Sequence, residues 1–272
     1  MISSQQPSEG VRDKLREFYN TSQAYAEHLA TEDEAYFRRY VSLIEKYGSR
    51  AETLLDAGCG TGLSSYLLSQ RKRSVVGVDL SELFLKEGRR RNINGNPFFA
   101  AADILSLPFQ DETFDLVGSY LVIEFLPNVE KGLTEMVRVL RRGGILLIVA
   151  PNFLSPIWPI RDFFRMMSGG PPRPVWCESP RAALTTFWRN ALLSLKKSFQ
   201  REPEFLYREP DLTCRRVVGR DSDSVYVACP GDFVHFLKQR GFRILRIGAS
   251  SSVLDRIFPY LSVAVEVIAE KH

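Results

Sequence analysis

Two kinds of apolar pattern alternate along the middle of the chain. Short, largely apolar runs recur: four lead up to an acid or a proline, namely the run ending at Asp56, Ser74–Asp79, residues 98–103 and residues 145–151, and one more covers Phe114–Tyr120. Such runs mark strands buried on both faces, as in a parallel sheet. Between them apolar residues recur every three or four positions, as in Leu63, Tyr66 and Leu67 and again in Leu133, Met136, Val137 and Leu140, which predicts helices with one apolar stripe. The alternation predicts an α/β fold. Before this core, Val11, Leu15, Phe18, Ser22, Tyr25 and Leu29 lie on one helical face. Thr31 with Glu34 has the spacing of a capping box that opens a second helix, carrying Phe37, Tyr40, Val41 and Ile44 and closing at Gly48.

Beyond residue 151, Ile157, Ile160, Phe163, Phe164 and Met167 recur at helical spacing, with Arg161, Asp162 and Arg165 opposite. A further helix is expected from a Ser179-Pro180 cap, presenting Leu184, Phe187, Trp188, Ala191, Leu192, Leu195 and Phe199. Residues 212–218 and 225–228 predict a hairpin around 219–223. Residues 232–240, 242–248 and 261–268 predict a closing helix and strand pair.

At 272 residues the chain exceeds one minimal α/β core, so a large insertion or two closely joined lobes are expected. No apolar run approaches the roughly 18 residues that span a bilayer, and residues 1–10 lack the apolar core of a signal peptide, so a cytoplasmic place is expected. Cys59, Cys177, Cys214 and Cys229 form no C-x-x-C pair and His28, His235 and His272 are scattered, which indicates neither a metal site nor a disulfide framework. Charge changes the picture more. Residues 152–229 hold twelve Lys and Arg against eight Asp and Glu, a surplus equal to the +4 of the whole chain. A basic, aromatic-rich insertion can form a lid over an anionic or amphipathic acceptor, lie on an acidic membrane surface, or bury two ordinary amphipathic faces against the core. Nucleic acid is disfavoured as a partner at so modest a charge.

The candidate chemistry begins where the first strand breaks into Asp56-Ala57-Gly58-Cys59-Gly60-Thr61-Gly62. Glycine there lets the backbone turn sharply and approach a ligand. A dinucleotide fingerprint would need its third glycine at position 63, which is Leu63. Asp79 and Asp103 end the next two strands, at the edge where open α/β sheets bind ligands, and an acid there can accept from both hydroxyls of a ribose. The glycine loop, with its acid two residues upstream, resembles motif I of the class I S-adenosylmethionine (SAM)-dependent methyltransferases. Asp103 with Leu107-Pro108-Phe109, Asp111 and Phe114-Asp115 resembles that family's next signature, and the likeness covers about residues 50 to 151.

The resemblance implies a Rossmann-like, seven-stranded, mostly parallel sheet with helices on both faces, an N-terminal helical cover over residues 1–48, a SAM-binding core over 49–151 and a C-terminal completion over 230–272; residues 152–229 leave the family's minimal plan and are expected to form an inserted helical and hairpin lid. It implies SAM as cofactor, held by Asp56, Gly58, Gly60, Asp79, Leu80, Asp103, Ile104 and Ser119, with Asp103 accepting from the adenine amino group. Asp56 can equally tie down the loop amides. Tyr19 and Tyr25 can offer a π face to the sulfonium or simply pack the cover helix. The implied reaction is methyl transfer to a small-molecule or lipid-like acceptor. Where relatives often carry a histidine this chain has Phe125, so no histidine role carries over, and Tyr120, Glu124 and His28 are the candidate bases. Glu124 is expected to be solvated or to pair with a helix dipole. Two alternatives stay open: a SAM-dependent reaction of another type, such as aminopropyl transfer, and a non-catalytic SAM-binding or membrane-associated protein.

Overall fold

The structure is a computed structural model that describes residues 2–71, 73–91, 95–171, 177–212, 222–248 and 258–272. In chain order its elements are β1 (Ile2–Ser3), α1 (Glu9–Thr21), α2 (Gln23–Ala30), α3 (Glu34–Tyr47), β2 (Thr53–Ala57), α4 (Leu63–Ser69), β3 (Ser74–Asp79), α5 (Glu82–Arg90), β4 (Phe98–Ala101), β5 (Phe114–Tyr120), α6 (Val129–Val139), β6 (Leu140–Pro151), α7 (Ile157–Met167), α8 (Pro180–Ser198), β7 (Tyr207–Arg208), α9 (Pro230–Gln239), β8 (Arg243–Ile247) and β9 (Ala264–Glu270).

The main sheet has seven strands in the order β4-β3-β2-β5-β6-β9-β8. β9 alone runs against its neighbours β6 and β8; the other ladders are parallel. The order reverses beside β2, so the loops after β2 and β5 part and leave a crevice at the carboxyl edge. Successive strand residues face opposite layers. Leu55, Val117, Leu146 and Ile148 pack in one core with Val11, Leu15, Leu133 and Phe233, while Leu54, Leu116, Leu147 and Val149 pack in another with Tyr40, Ile44 and Leu68. The expected seven-stranded, mostly parallel sheet is therefore present.

Several expectations are corrected. The cover is three helices rather than two, because the chain breaks at Ser22, which ends α1 and precedes α2. Asp33, not Thr31, caps α3: its carboxylate accepts from the Tyr36 amide at 3.1 Å, while the Thr31 hydroxyl turns back to the His28 carbonyl at 2.7 Å. Gly143 and Gly144 lie within β6, which begins at Leu140 rather than at residue 145, with Gly143 at φ +73°. α7 and α8 form where the periodicity places them and Ser179 caps α8 as expected, but α8 turns its polar side inward. Asp162 is buried, whereas Phe164, Met167 and most of the α8 apolar stripe are exposed. Part of the expected hairpin, residues 213–221, lies outside the described residues; Tyr226 bridges to Tyr207 instead, and β7 pairs with β1 as a separate two-stranded sheet. Among the described residues no helix is long and apolar enough to cross a membrane.

Candidate functional site

The β2–α4 loop is built on three left-handed glycines, with φ of +83° at Gly58, +53° at Gly60 and +76° at Gly62. The amides of Gly58 and Cys59 both donate to the Val78 carbonyl, at 2.8 and 2.9 Å, which fastens the loop to the end of β3. A Cβ on Gly58 would lie 2.4 Å from Val122 and one on Gly62 2.6 Å from the Phe99 ring, so packing against the protein itself demands both. A Cβ on Gly60 would meet only Leu29 Cδ1, at 3.8 Å. Gly60 is thus the place where the backbone lies open to a ligand.

Asp79, at the end of β3, accepts from the Gly60 amide on one oxygen and from the Ser81 amide on the other, each at 2.9 Å. Burial pushes its carboxyl up to about 6, against those two amide bonds, which favour the ionised form. Two donors leave lone pairs on both oxygens for further hydroxyl groups. Asp103 accepts from the Leu105 amide at 2.8 Å and from Arg12 Nε at 2.7 Å. The cation from α1 thus shares the acid that the resemblance reserves for the adenine amino group. Asp56 takes neither expected role: it lies behind the loop, 1% exposed, and accepts from Ser64 at 2.6 Å, Ser65 at 2.7 Å and Tyr40 at 2.9 Å. Its carboxylate joins α3 and α4 to the end of β2.

Loop, acids and cover enclose a cleft with about 1000 Å³ of space, part of it open to solvent. Its wall includes Gly58, Gly60, Asp79, Leu80, Asp103, Ile104, Tyr19, Tyr25 and Tyr120, which brings most of the sequence-derived residues together. Ser119, Glu124 and His28 are not in that wall. Ser119 is buried inside β5. Glu124 is 1% exposed, against the expectation of a solvated side chain, and its carbonyl accepts from the Val225 and Tyr226 amides at 2.8 Å. His28 sits in the exposed last turn of α2.

Aromatic rings form much of the cleft. Tyr19 lies edge-on to Tyr25 at 5.6 Å and to Phe125 at 6.3 Å, and Tyr25 stacks on Phe84 at 5.7 Å. Tyr19 also anchors the cover, donating to Asp223 at 2.8 Å while its carbonyl accepts from Ser81 Oγ at 2.7 Å. Phe125, the departure from the family pattern, is therefore part of this ring cluster. Sequence inspection missed Arg12, Glu32, Tyr36 and Phe84. Of these only Phe84 had a usable signal, on the first turn of a helix beginning at the ligand edge. Glu32 lies in the short α2–α3 connection, where burial lifts its carboxyl to about 7, partly countered by a hydrogen bond from Tyr36. Tyr120 donates to the Tyr36 carbonyl at 3.0 Å, and burial raises its phenol further from ionisation. The open glycine, the acid at the end of β3 and the ring cluster together fit SAM: a ribose, a nucleoside face and a sulfonium each find a matching group.

The profile described as a methyltransferase domain matches residues 55–148. Demethylmenaquinone methyltransferase of Clavibacter sepedonicus is 38% identical over 110 residues, 40% of this chain and 44% of that protein. Malonyl-[acyl-carrier protein] O-methyltransferase of Serratia marcescens is 35% identical over 96 residues, 35% of this chain and 37% of that protein. The chain thus spans less than half the length of either relative. Among solved structures, magnesium protoporphyrin IX methyltransferase from Synechocystis PCC 6803 with bound SAH superposes at a TM-score of 0.58 and 14% identity, covering 96% of this chain and all of that one. That likeness is one of fold alone. Residues 55–148 of this chain belong to the class I SAM-dependent methyltransferase family.

Proposed function

We propose that the protein transfers a methyl group from SAM to a small-molecule or lipid-like acceptor. The observation that carries this reading is the single cleft in which the open Gly60 loop, Asp79 and Asp103 share a wall with an aromatic chamber. SAM supplies a methyl carbon on a positively charged sulfur, ready for displacement. Asp79 would hold the ribose hydroxyls, Asp103 with Arg12 would border the adenine, and Tyr19, Tyr25 and Phe84 would exclude water and face the sulfonium. The protein's contribution to such a displacement is mainly alignment in a dry site.

The same wall carries Glu32, Tyr36, Phe37 and Tyr120. Glu32 is the acid there whose proton affinity suits a general base near neutral pH. With an oxygen acceptor, its carboxylate would take the hydroxyl proton as the oxygen bonds to the methyl carbon and the carbon–sulfur bond breaks. The relatives named above act, by their names, on a demethylmenaquinone and on a malonyl-acyl carrier protein, and the largely apolar chamber agrees with an acceptor of apolar character. The test is incubation with methyl-labelled SAM and a lipid and metabolite extract. Label should appear in an extractable product together with S-adenosylhomocysteine, and both should fall in Asp79→Ala when SAM is held near the parent protein's Kd. Tight SAM binding with neither product would replace this reading with that of a binding protein.

A further inference from the structure

Helix α8 is turned with its polar side inward. Its buried residues are Ala183, Asn190, Ser194 and Lys197. Asn190 Nδ2 donates to the carbonyls of Phe153 at 3.0 Å and Ser155 at 3.3 Å, and Ser194 Oγ donates to Leu154 at 2.9 Å. Lys197 Nζ reaches Asp232 of α9 at 2.7 Å and the Glu204 carbonyl. These bonds fix the rotation of the helix, because turning it over would bury five apolar side chains only by stripping partners from a buried ammonium, an amide and a hydroxyl.

The consequence lies on the other side. Leu184, Trp188, Leu192, Leu195 and Phe199 follow one another at steps of three or four residues, a stripe about 22 Å long at 1.5 Å per residue. Trp188 is 64% exposed, Leu192 66%, Leu195 58% and Phe199 81%. Helix α7 packs beside α8 and adds Phe164 at 65% and Met167 at 64%. A contiguous apolar face of this kind on a folded protein marks a surface that something else covers.

Charge says what. α8 turns Arg181, Arg189 and Lys196 to the surface and contains no acid; Lys197 is its buried, paired cation, and Lys196 reaches Glu204 at 3.3 Å. Arg181 lies in line with the stripe, and Arg189 and Lys196 flank it at 100° per residue. α7 adds exposed Arg161, while its one acid, Asp162, is buried and paired with Arg165. A second copy meeting this face through the same stripe would bring the cations together. An anionic bilayer satisfies both halves, taking Trp, Phe and Leu into its acyl boundary and the guanidinium and ammonium groups among its phosphates. We propose that α7 and α8 form a docking face for an anionic lipid surface, built by holding α8 polar-side-in. The proposal stands apart from the methyl-transfer reading, since its first readout is lipid binding.

The test uses the full chain and flotation with vesicles of phosphatidylcholine alone or phosphatidylcholine with phosphatidylglycerol. Binding is expected to the mixed vesicles, to fall by about tenfold or more without phosphatidylglycerol, and to weaken as salt is raised. Trp188→Ser, Leu192→Ser and Phe199→Ser combined should reduce it by at least about tenfold while Tm and SAM binding stay unchanged, because these side chains are outside the core. Should that variant fold poorly, Arg189→Gln with Lys196→Gln tests the cationic half through the lost phosphatidylglycerol preference. No vesicle binding, or binding that neither variant alters, overturns the proposal. A concentration-dependent dimer dispersed by the serine variant, without lipid binding, overturns it in favour of a second copy.

Discussion

At Asp79 the pH of the solution should decide how well a nucleoside is held. Ribose hydroxyls donate to the ionised carboxylate, so SAM affinity should be full above about 6 and fall as pH drops through that value. Asp79→Ala should weaken binding by about 1.5 to 3 kcal/mol, the scale of hydrogen bonds to a charged group, and titration calorimetry across pH checks both statements. The folded protein has the opposite preference at this residue. Its raised carboxyl stabilises the fold at low pH, and that contribution is lost as pH rises from the unfolded value towards about 6. Glu32 should appear in turnover instead. With an oxygen acceptor the rate should rise with pH to a plateau above about 7, and Glu32→Gln should lower kcat by roughly 10²- to 10⁴-fold at unchanged SAM affinity, measured by initial rates. Asp79 and Asp103 were legible in the sequence because each ends an apolar run at the ligand edge. Glu32 was not, because a two-helix connection has no spacing rule. Asp56 shows the limit from the other side: its position beside the glycines is readable, but its three hydroxyl partners come from α3 and α4.

Among the elements, the strands of the core were the most readable, since a strand buried on both faces leaves an unbroken apolar run. Helix α8 was readable in its Ser179 cap and its length, but not in its facing. Periodicity locates a stripe and is silent on whether the stripe or the opposite face meets the core. The facing was decided by isolated polar residues whose partners lie 35 or more positions away, such as Lys197 with Asp232. That pair therefore makes a sharp stability test. Lys197→Met should cost about 3 to 5 kcal/mol in denaturant unfolding, by leaving the buried Asp232 side chain without its cation, beside the neutral Tyr226 hydroxyl and Glu204 amide. Pairing it with Asp232→Leu should recover much of the loss. A Lys197→Met protein as stable as the parent would show that the ion pair does not hold α8 in place.

For the whole molecule, the division of the sequence into core and lid is less clean in space. Phe153, Leu154, Phe205, Tyr207 and Val225 belong to the same apolar cluster as Leu55 and Val117 of the sheet, and Asp223 holds Tyr19 of the cover. Replacing residues 152–228 with a short linker should therefore abolish both SAM binding and cooperative unfolding, whereas a separable lid would leave SAM binding intact. In the intact protein SAM should raise Tm and NAD should not, since Leu63 stands where the dinucleotide loop needs glycine; a larger shift with NAD would contradict the site as built. The sheet order bears on how the chain is made. β9 sits between β6 and β8 yet follows both in sequence, so after residue 151 leaves the ribosome the outer edge of β6 has no neighbour until residues 264–270 arrive. At usual rates of synthesis that is roughly 5 to 25 seconds with Leu146, Leu147 and Ile148 on an open strand edge. The nascent protein passes through a sticky adolescence that the finished one conceals, and ribosomes stalled within that window should yield aggregates or chaperone-bound chains rather than a half-built fold.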